Sequence, residues 1–300
     1  MSSDFQLWST PTMKLLIIII VCLIMACIIN IAIDSNRFVV RRYELHTDKN
    51  VGEIHFVFVS DLHNRVYGKE NAALLRAIDG LKPQFILCGG DMPTANPGQS
   101  VEKAADFMQK LSEKYRIFYA NGNHEQRMRL YPDKYGSMHE DYEKALQKAG
   151  ICRMINTTGN WKDKMRIHGL ELERRFYKRF HGDVPTKEEI ESLFKEPLTG
   201  DGNYHILLAH NPEFFDVYAQ TGVDLVLSGH VHGGIARLPL LGGVISPSLR
   251  LFPKYDGGFF EKGGSMMIIS RGLGSHTIPL RFLNPAELVD VVIKQYPKND

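Results

Sequence analysis

The sequence lacks the features that would place it in several large classes. Cysteine is scarce, with four in 300 residues, and their positions build no disulfide framework. Cys22 and Cys27 lie in an apolar N-terminal run, Cys88 in a strand-like run, and Cys152 stands alone. Charge of one sign is also missing. A formal net charge of +2 gives no basis for a nucleic-acid-binding surface, so no nucleic acid is expected among the partners. Low-complexity tracts and internal repeats are absent. With 44% hydrophobic and 10% aromatic residues, disorder is excluded for most of the chain. The length suffices for one large domain with a sizeable core.

A local absence says more. No residue between Lys14 and Asp34 is charged, and the 19 residues from Leu15 to Ile33 would extend roughly 28 Å as a helix, close to the hydrocarbon thickness of a bilayer. A membrane helix or signal anchor is therefore predicted over 13–33, after a tail at 1–12. Arg37, Arg41 and Arg42 follow the span and only Lys14 precedes it, which places the C-terminal domain in the cytoplasm by the positive-inside rule. Ile24-Met25-Ala26-Cys27 loosely resembles a lipoprotein cleavage box, although Ile28 to Ile33 stay apolar, which argues against cleavage there. Met13 offers another start, with Lys14 as a minimal basic region. Trp8 is placed to sit at the membrane interface.

Residues 34–52 read as a polar connector with a possible edge strand, and 53–300 as the main domain. Strands are predicted at Glu53–Ser60, Phe85–Cys88, Arg116–Ala120, Lys164–Leu172, His205–Ala209, Asp224–Leu227, Met266–Ser270 and Leu288–Lys294. Helical spacing marks 71–81, with Leu74, Leu75, Ile78 and Leu81 on one face, a helix capped by Ser100 through Lys114, and Ser137–Ala149. Thr186 and Glu189 form a capping pattern opening a helix to Lys195. Another helix is predicted near Glu213–Gln220. Four Gly-Gly pairs and several prolines make 233–264 loops and hairpins. Alternating β and α elements imply an α/β or layered α+β domain with function in the loops after the strands.

Five segments each follow an apolar strand: Asp61-Leu62-His63, Gly89-Gly90-Asp91, Gly122-Asn123-His124-Glu125, Ala209-His210-Asn211 and Gly229-His230-Val231-His232. In extended chain, residues two apart share a face, so Asp61 and His63, and likewise His230 and His232, would project together. Oxygen and imidazole donors suit Mn, Fe or Zn better than a thiolate-preferring ion. Singly, each segment has an ordinary reading as a turn, a cap or a satisfied core histidine. Jointly, in this order, they point to a metal centre.

These residues resemble the calcineurin-like metallophosphoesterase family, over about residues 53–295. The resemblance implies a four-layer α/β/β/α sandwich of two mixed sheets, here preceded by one N-terminal transmembrane helix. It implies two divalent metal ions (Mn, Zn or Fe), one held by Asp61, His63, Asp91 and His232, the other by Asp91, Asn123, His210 and His230. It implies hydrolysis of a phosphomonoester, phosphodiester or pyrophosphate by a metal-bridging hydroxide, the ions being about 3.5–4 Å apart. His124 would be the catalytic residue at the leaving oxygen, donating a proton or stabilising charge. The Gly-Asp segment continues Met92-Pro93 and so lacks polar residues some members carry there. Within the family, Leu238-Pro239, Phe252-Pro253-Lys254-Tyr255, Ser270-Arg271-Gly272-Leu273-Gly274 and Pro279-Leu280-Arg281 are similar to an anchored bacterial YkuE-like subgroup. Lipid A pathway enzymes that cleave UDP-2,3-diacylglucosamine share the core motifs. The resemblance thus implies a phosphorylated small-molecule or lipid substrate and action outside the cytoplasmic membrane, opposite to the side the arginines indicate.

Arg271 either contacts substrate phosphate or forms a structural salt bridge. Glu173–Phe180 is basic and aromatic. It reads either as a cap touching head groups or substrate phosphate, or, more plainly, as a solvated helix whose aromatics pack on the sheet. His168 and His276 receive no role. The competing reading for the whole chain is a non-catalytic scaffold or slow metal-binding sensor. A scaffold should have lost ligands or His124, and here every position is filled.

Overall fold

The computed structural model describes residues 11–178, 182–245, 251–275 and 279–297. Trp8, Arg179, Phe180 and His276 fall outside them. The first element is a helix, α1 (Pro11–Asp34), exposed along its apolar length and long enough to cross a membrane by length and composition. Its end is fastened to the domain. Asp34 is buried, accepts from the Asn284 N–H at 3.0 Å and pairs with Arg37 at 2.8 Å.

Two six-stranded mixed sheets follow. The first has the order β1-β14-β2-β3-β4-β5, from β1 (Phe38–Thr47), β14 (Ala286–Gln295), β2 (Glu53–Val59), β3 (Phe85–Cys88), β4 (Ile117–Ala120) and β5 (Cys152–Met154). The second has the order β12-β13-β9-β8-β7-β6, from β12 (Gly258–Lys262), β13 (Ser265–Ile269), β9 (Leu225–Ser228), β8 (Tyr204–Ala209), β7 (Met165–Leu170) and β6 (Thr157–Trp161). A short hairpin, β10 (Arg237–Leu238) with β11 (Gly242–Gly243), stands apart. The 34–52 connector thus contains a full edge strand, paired in parallel with β14 along its length.

Strand periodicity explains the layers. Phe56 and Phe58 of β2 point into the space between the sheets, where they meet Phe85, Phe118, Ile206, Leu208 and Val291. Val57 and Val59 point the other way, toward α2 (Ala72–Leu81), α3 (Glu102–Ser112) and α6 (Met138–Lys148), through Leu74, Ile78, Phe107 and Leu146. Across the molecule, Leu207, Val226 and Met267 face α7 (Lys187–Ser192) and α8 (Phe215–Tyr218). Helix, sheet, sheet and helix give the four layers expected. The Thr186 capping box is present, the Glu189 N–H donating to Thr186 Oγ1 at 3.1 Å. Helix α3 begins after Val101, so Ser100 is not its cap, although Ser100 Oγ accepts from the Glu102 N–H.

Candidate metal centre

Strands β2, β3 and β4 run parallel in one sheet, as do β8 and β9 in the other, and all five carboxyl ends meet at one edge of the sandwich. Asp61 and His63 follow β2, Asp91 follows β3, and His210 follows β8. His230 and His232 follow β9. Asn123, His124 and Glu125 open α4 (Asn123–Leu130), directly after β4.

Three sets of donor atoms lie within 4.8 Å of one another: Asp61, His63 and His232; Asp91, His210 and His230; and His63, Asp91 and His124. His210 Nε2 is 3.1 Å from Asp91 Oδ2, His232 Nε2 is 3.4 Å from Asp61 Oδ1, and His63 Nε2 is 3.9 Å from both carboxylates. The six His and Asp ligands expected from the sequence therefore converge. Asn123 is buried beside them, and its Oδ1 has no hydrogen-bond partner among the described residues. An orphaned acceptor of this kind is costly unless a cation or water satisfies it.

The backbone departs from the extended geometry expected of the Asp-x-His and His-x-His segments. Asp61, His63, Asp91, His230 and His232 have φ of 55°, 50°, 54°, 69° and 52°, in the left-handed region. The common aim of each pair therefore comes from consecutive tight turns beyond the strand, not from strand periodicity. Non-glycine residues are uncommon there, and such strain gathers at functional sites. The flanking glycines answer a different need. A Cβ on Gly122 would lie 2.2 Å from Asp91 Oδ1, and one on Gly229 would lie 2.0 Å from Asp61 Oδ2. They let backbone close over the carboxylates.

Main-chain groups fix the imidazole tautomers. His210 Nδ1 donates to Gly89 O at 2.7 Å, and His232 Nδ1 donates to Gly274 O at 3.1 Å. A carbonyl only accepts, so both rings turn Nε2 toward the cluster, as metal-ligating histidines commonly do. His124 is reversed. The Ala95 N–H donates to its Nδ1 at 2.7 Å, so the neutral ring carries its proton on Nε2, 3.9 Å from Asp91 Oδ2. Asp61 accepts from Ser60 Oγ and the His230 N–H, and Asp91 from the His124 N–H.

Glu125, which the sequence offers only as part of a possible helix cap, is the brace of the site. Its carboxylate accepts from the Asp91 and Gly122 N–H groups at 2.9 and 3.0 Å, the Met92 N–H at 3.0 Å and the Tyr119 hydroxyl at 2.5 Å. One fully buried side chain thus ties the β3 loop to the β4 loop. The signal for it, an acid at the third position of a helix after a glycine, is the pattern that caps helices.

Electrostatics favour a cation here. Burial raises Asp61 to about 6, with Asp91 adding to the effect. Burial opposes ionisation of Asp91 as well, but the imidazoles of His210, His124 and His63 hold it well below the carboxylate range. Burial would lower His210, yet Asp91 and Asp61 push it up to about 10. The carboxylates select positive charge at this point, and a divalent ion supplies it with the ring neutral.

The other sequence candidates fall elsewhere. Arg271 packs its side chain against Gly233 and Gly257, and the charges acting on it are Glu287, Arg237 and Arg41. No contact with the ligand carboxylates accompanies it among the described residues. The basic-aromatic segment forms a single 3-10 turn, Arg174–Tyr177, with Phe176 buried and Arg175 paired to Glu189 at 2.7 Å. Its Tyr177 ring stands 5.7 Å from that of His230, edge to face. Tyr177 thereby borders the cluster, and the Arg174 guanidinium lies 5.9 Å from its ring. On another side a cavity of about 200 Å³ runs from His63 past Arg65, Tyr67 and Arg281 to Ser35. Beyond the centre, His168 and His205 stack 5.4 Å apart in the second sheet.

Comparison with known proteins agrees with this geometry. The chain is 28% identical over 263 residues to an uncharacterized metallophosphoesterase of Aquifex aeolicus, covering 85% of this chain and 91% of that one. It is 31% identical over 149 residues to the metallophosphoesterase YkuE of Bacillus subtilis, covering 46% of this chain and 51% of YkuE. It is 27% identical over 230 residues to the phosphodiesterase YaeI of Escherichia coli, with coverage of 75% and 77%. The model of one family matches residues 54–234, which hold every ligand candidate. The chain belongs to the calcineurin-like phosphoesterases, metal-dependent phosphoester hydrolases.

Proposed function

We propose that the chain is a membrane-anchored phosphoesterase that uses a dinuclear centre to hydrolyse a phosphomonoester, phosphodiester or pyrophosphate, on a small-molecule, lipid or cell-envelope substrate. Asp61, His63, Asp91 and His232 would hold one ion, and Asp91, Asn123, His210 and His230 the other. The donor set, all oxygen and imidazole, fits Mn, Zn or Fe. When bound, the ion pair supplies an activated water and positive charge for the phosphoryl oxygens. The observation that carries the reading is the convergence of four imidazoles and two buried carboxylates on one point.

This chain's own residues do the rest. Glu125 holds the Asp91 and Gly122 backbones in register, so the Asp91 carboxylate keeps its aim. The carbonyls of Gly89 and Gly274 keep His210 and His232 as lone-pair donors. His124, fixed by Ala95 with Nε2–H toward the cluster, donates a hydrogen bond to charge building on the leaving oxygen. A proton on both ring nitrogens would break the Ala95 bond, so charge stabilisation is favoured over full proton transfer. Tyr177 borders the centre where a phosphate ester would enter, with Arg174 packed on its ring. With every ligand and His124 in place, a non-catalytic scaffold explains less of the site.

The test is to purify the full chain in detergent, load it with Mn²⁺, and assay an aryl phosphate monoester and diester. Hydrolysis lost on chelation and restored by metal supports the reading. Metal-replete protein that cleaves no phosphorylated compound would overturn it.

A further inference from the structure

A sheet-like apolar surface lies against the end of α1, and the metal chemistry does not use it. Ala236 pairs with Phe282, Val244 with Ala236, and Ile245 with Leu251, so three segments and the β10–β11 hairpin form one small array. The array displays Leu238, Leu240, Leu241, Leu251, Phe252 and Leu283, all exposed, with Leu240 fully so. Leu240, Phe252 and Leu283 have φ of 67°, 46° and 50°. Glycine or asparagine would be the ordinary choice at such positions, so bulky apolar residues there are strained in a protein facing water alone. Monomeric proteins also rarely leave large apolar residues clustered in the open.

The array continues α1. The Leu283 N–H donates to Asn30 Oδ1 at 2.8 Å, one turn inside the apolar helix, and the Arg281 N–H donates to Ser35 Oγ at 3.1 Å. Arg65 bonds the Ser35 carbonyl at 2.8 Å, and Arg37 pairs with the buried Asp34. A bilayer that holds α1 up to Asp34 therefore reaches Leu283 and the hairpin beside it. The charged groups at this level, Arg37 and Arg65, suit the head-group layer, and the leucines the acyl boundary beneath it.

Resting on the anchored reading above, we propose that the Leu238–Leu241 hairpin, Leu251–Phe252 and Leu283 form a second membrane contact. With α1, it fixes the domain's orientation on the bilayer. The contact is coupled to the metal site. Asn284, next to Leu283, donates through Nδ2 to His232 O at 2.8 Å and Gly234 O at 2.6 Å. The centre is thereby held close to the membrane surface.

The test uses the unsubstituted full chain in phosphatidylcholine–phosphatidylglycerol vesicles carrying a photoreactive acyl chain, with adducts mapped by mass spectrometry. The expected result is labelling of α1, of 238–241 and of 251–252, with none on Tyr296, which is exposed at the far end of β14. Replacing Leu240 and Leu241 by Asp should cut hairpin adducts by roughly tenfold while α1 labelling stays. Labelling confined to α1, or equal labelling of Tyr296, would overturn the second contact and leave the anchor standing. No labelling of α1 would remove the anchored reading and this contact with it.

Discussion

Two groups of buried histidines lie among the described residues, and they are built on opposite principles. His168 and His205 are 1% and 2% exposed, as buried as His210 at 2%. Yet they sit in regular strands, β7 and β8, and form a line: Thr158 Oγ1 to His168 Nδ1 at 2.8 Å, His168 Nε2 to His205 Nδ1 at 3.1 Å, and His205 Nε2 to Asp201 at 2.9 Å. Every ring nitrogen is used within the line. At the metal centre the rings stand beyond the strand ends, those of His63, His230 and His232 on left-handed backbone, and gather with His210 around shared carboxylates. Burial alone therefore does not mark a ligand. Convergence on a carboxylate does, and for His210 and His232 the second nitrogen is held by a main-chain carbonyl.

Substitutions should separate the two groups. Asp91→Asn removes the charge proposed to join the two ions and should lower kcat/KM by a thousandfold or more, on the order of the contribution of a metal centre to phosphoryl transfer. The double change His168→Gln, His205→Gln should leave the metal-dependent rate near wild type, and comparable losses in both variants would break the comparison. His124→Ala should cost about 10²–10³ in kcat with metal content unchanged, measured by steady-state assay and metal analysis. Glu125→Gln keeps the shape but weakens the brace on Asp91 and Gly122. Metal affinity should fall by about 10–100-fold in a competition titration with a chelating dye.

The smallest effect belongs to the strand-borne pair. Burial, helped by His205, lowers His168 to about 4, below the ordinary imidazole value of about 6.5. The folded protein thus resists protonation that the unfolded chain accepts. The stability is present above about pH 6.5 and is lost as pH falls toward 4, by about 3 kcal/mol. Denaturant unfolding followed against pH should show this decline, and the decline should flatten in His168→Gln. A wild-type curve flat through that window would contradict it. Asp201 and Arg166 face His168 beside its partner His205, Asp201 opposing the fall and Arg166 adding to it.

Much of this was legible in the sequence because the two signals coincide. An apolar run of a few residues, as in β3 or β9, is followed at once by donors that no buried strand would tolerate, so the chain shows both where a strand ends and what stands there. Strands that were read only as a possibility, as β1 was, or not at all, as β6 was, lack that contrast. Strand β1 carries Arg41, Arg42 and Glu44 on exposed positions of an edge, and β6 is polar at Thr157, Thr158 and Asn160. Helix α4 reads Asn-His-Glu-Gln-Arg-Met-Arg-Leu, with no apolar stripe, because its first turn serves the metal centre and not the core. Within the site, the ligand types were readable. The carbonyls of Gly89 and Gly274 and the Ala95 N–H were not, since main-chain groups leave no mark in a sequence. The left-handed turns were likewise hidden, because aspartate and histidine adopt a positive φ more often than most residues but still too seldom to announce it.

The central claim is that Asp91 joins two cation sites while the strand-borne histidines join none. Native mass spectrometry of the purified full chain, loaded with Mn²⁺ and freed of excess metal, tests it most directly. The account predicts a dinuclear species for the wild type and for His168→Gln, His205→Gln, and loss of bound metal in Asp91→Asn. An Asp91→Asn protein that keeps its full metal complement, or loss of metal on changing His168 and His205, would contradict it.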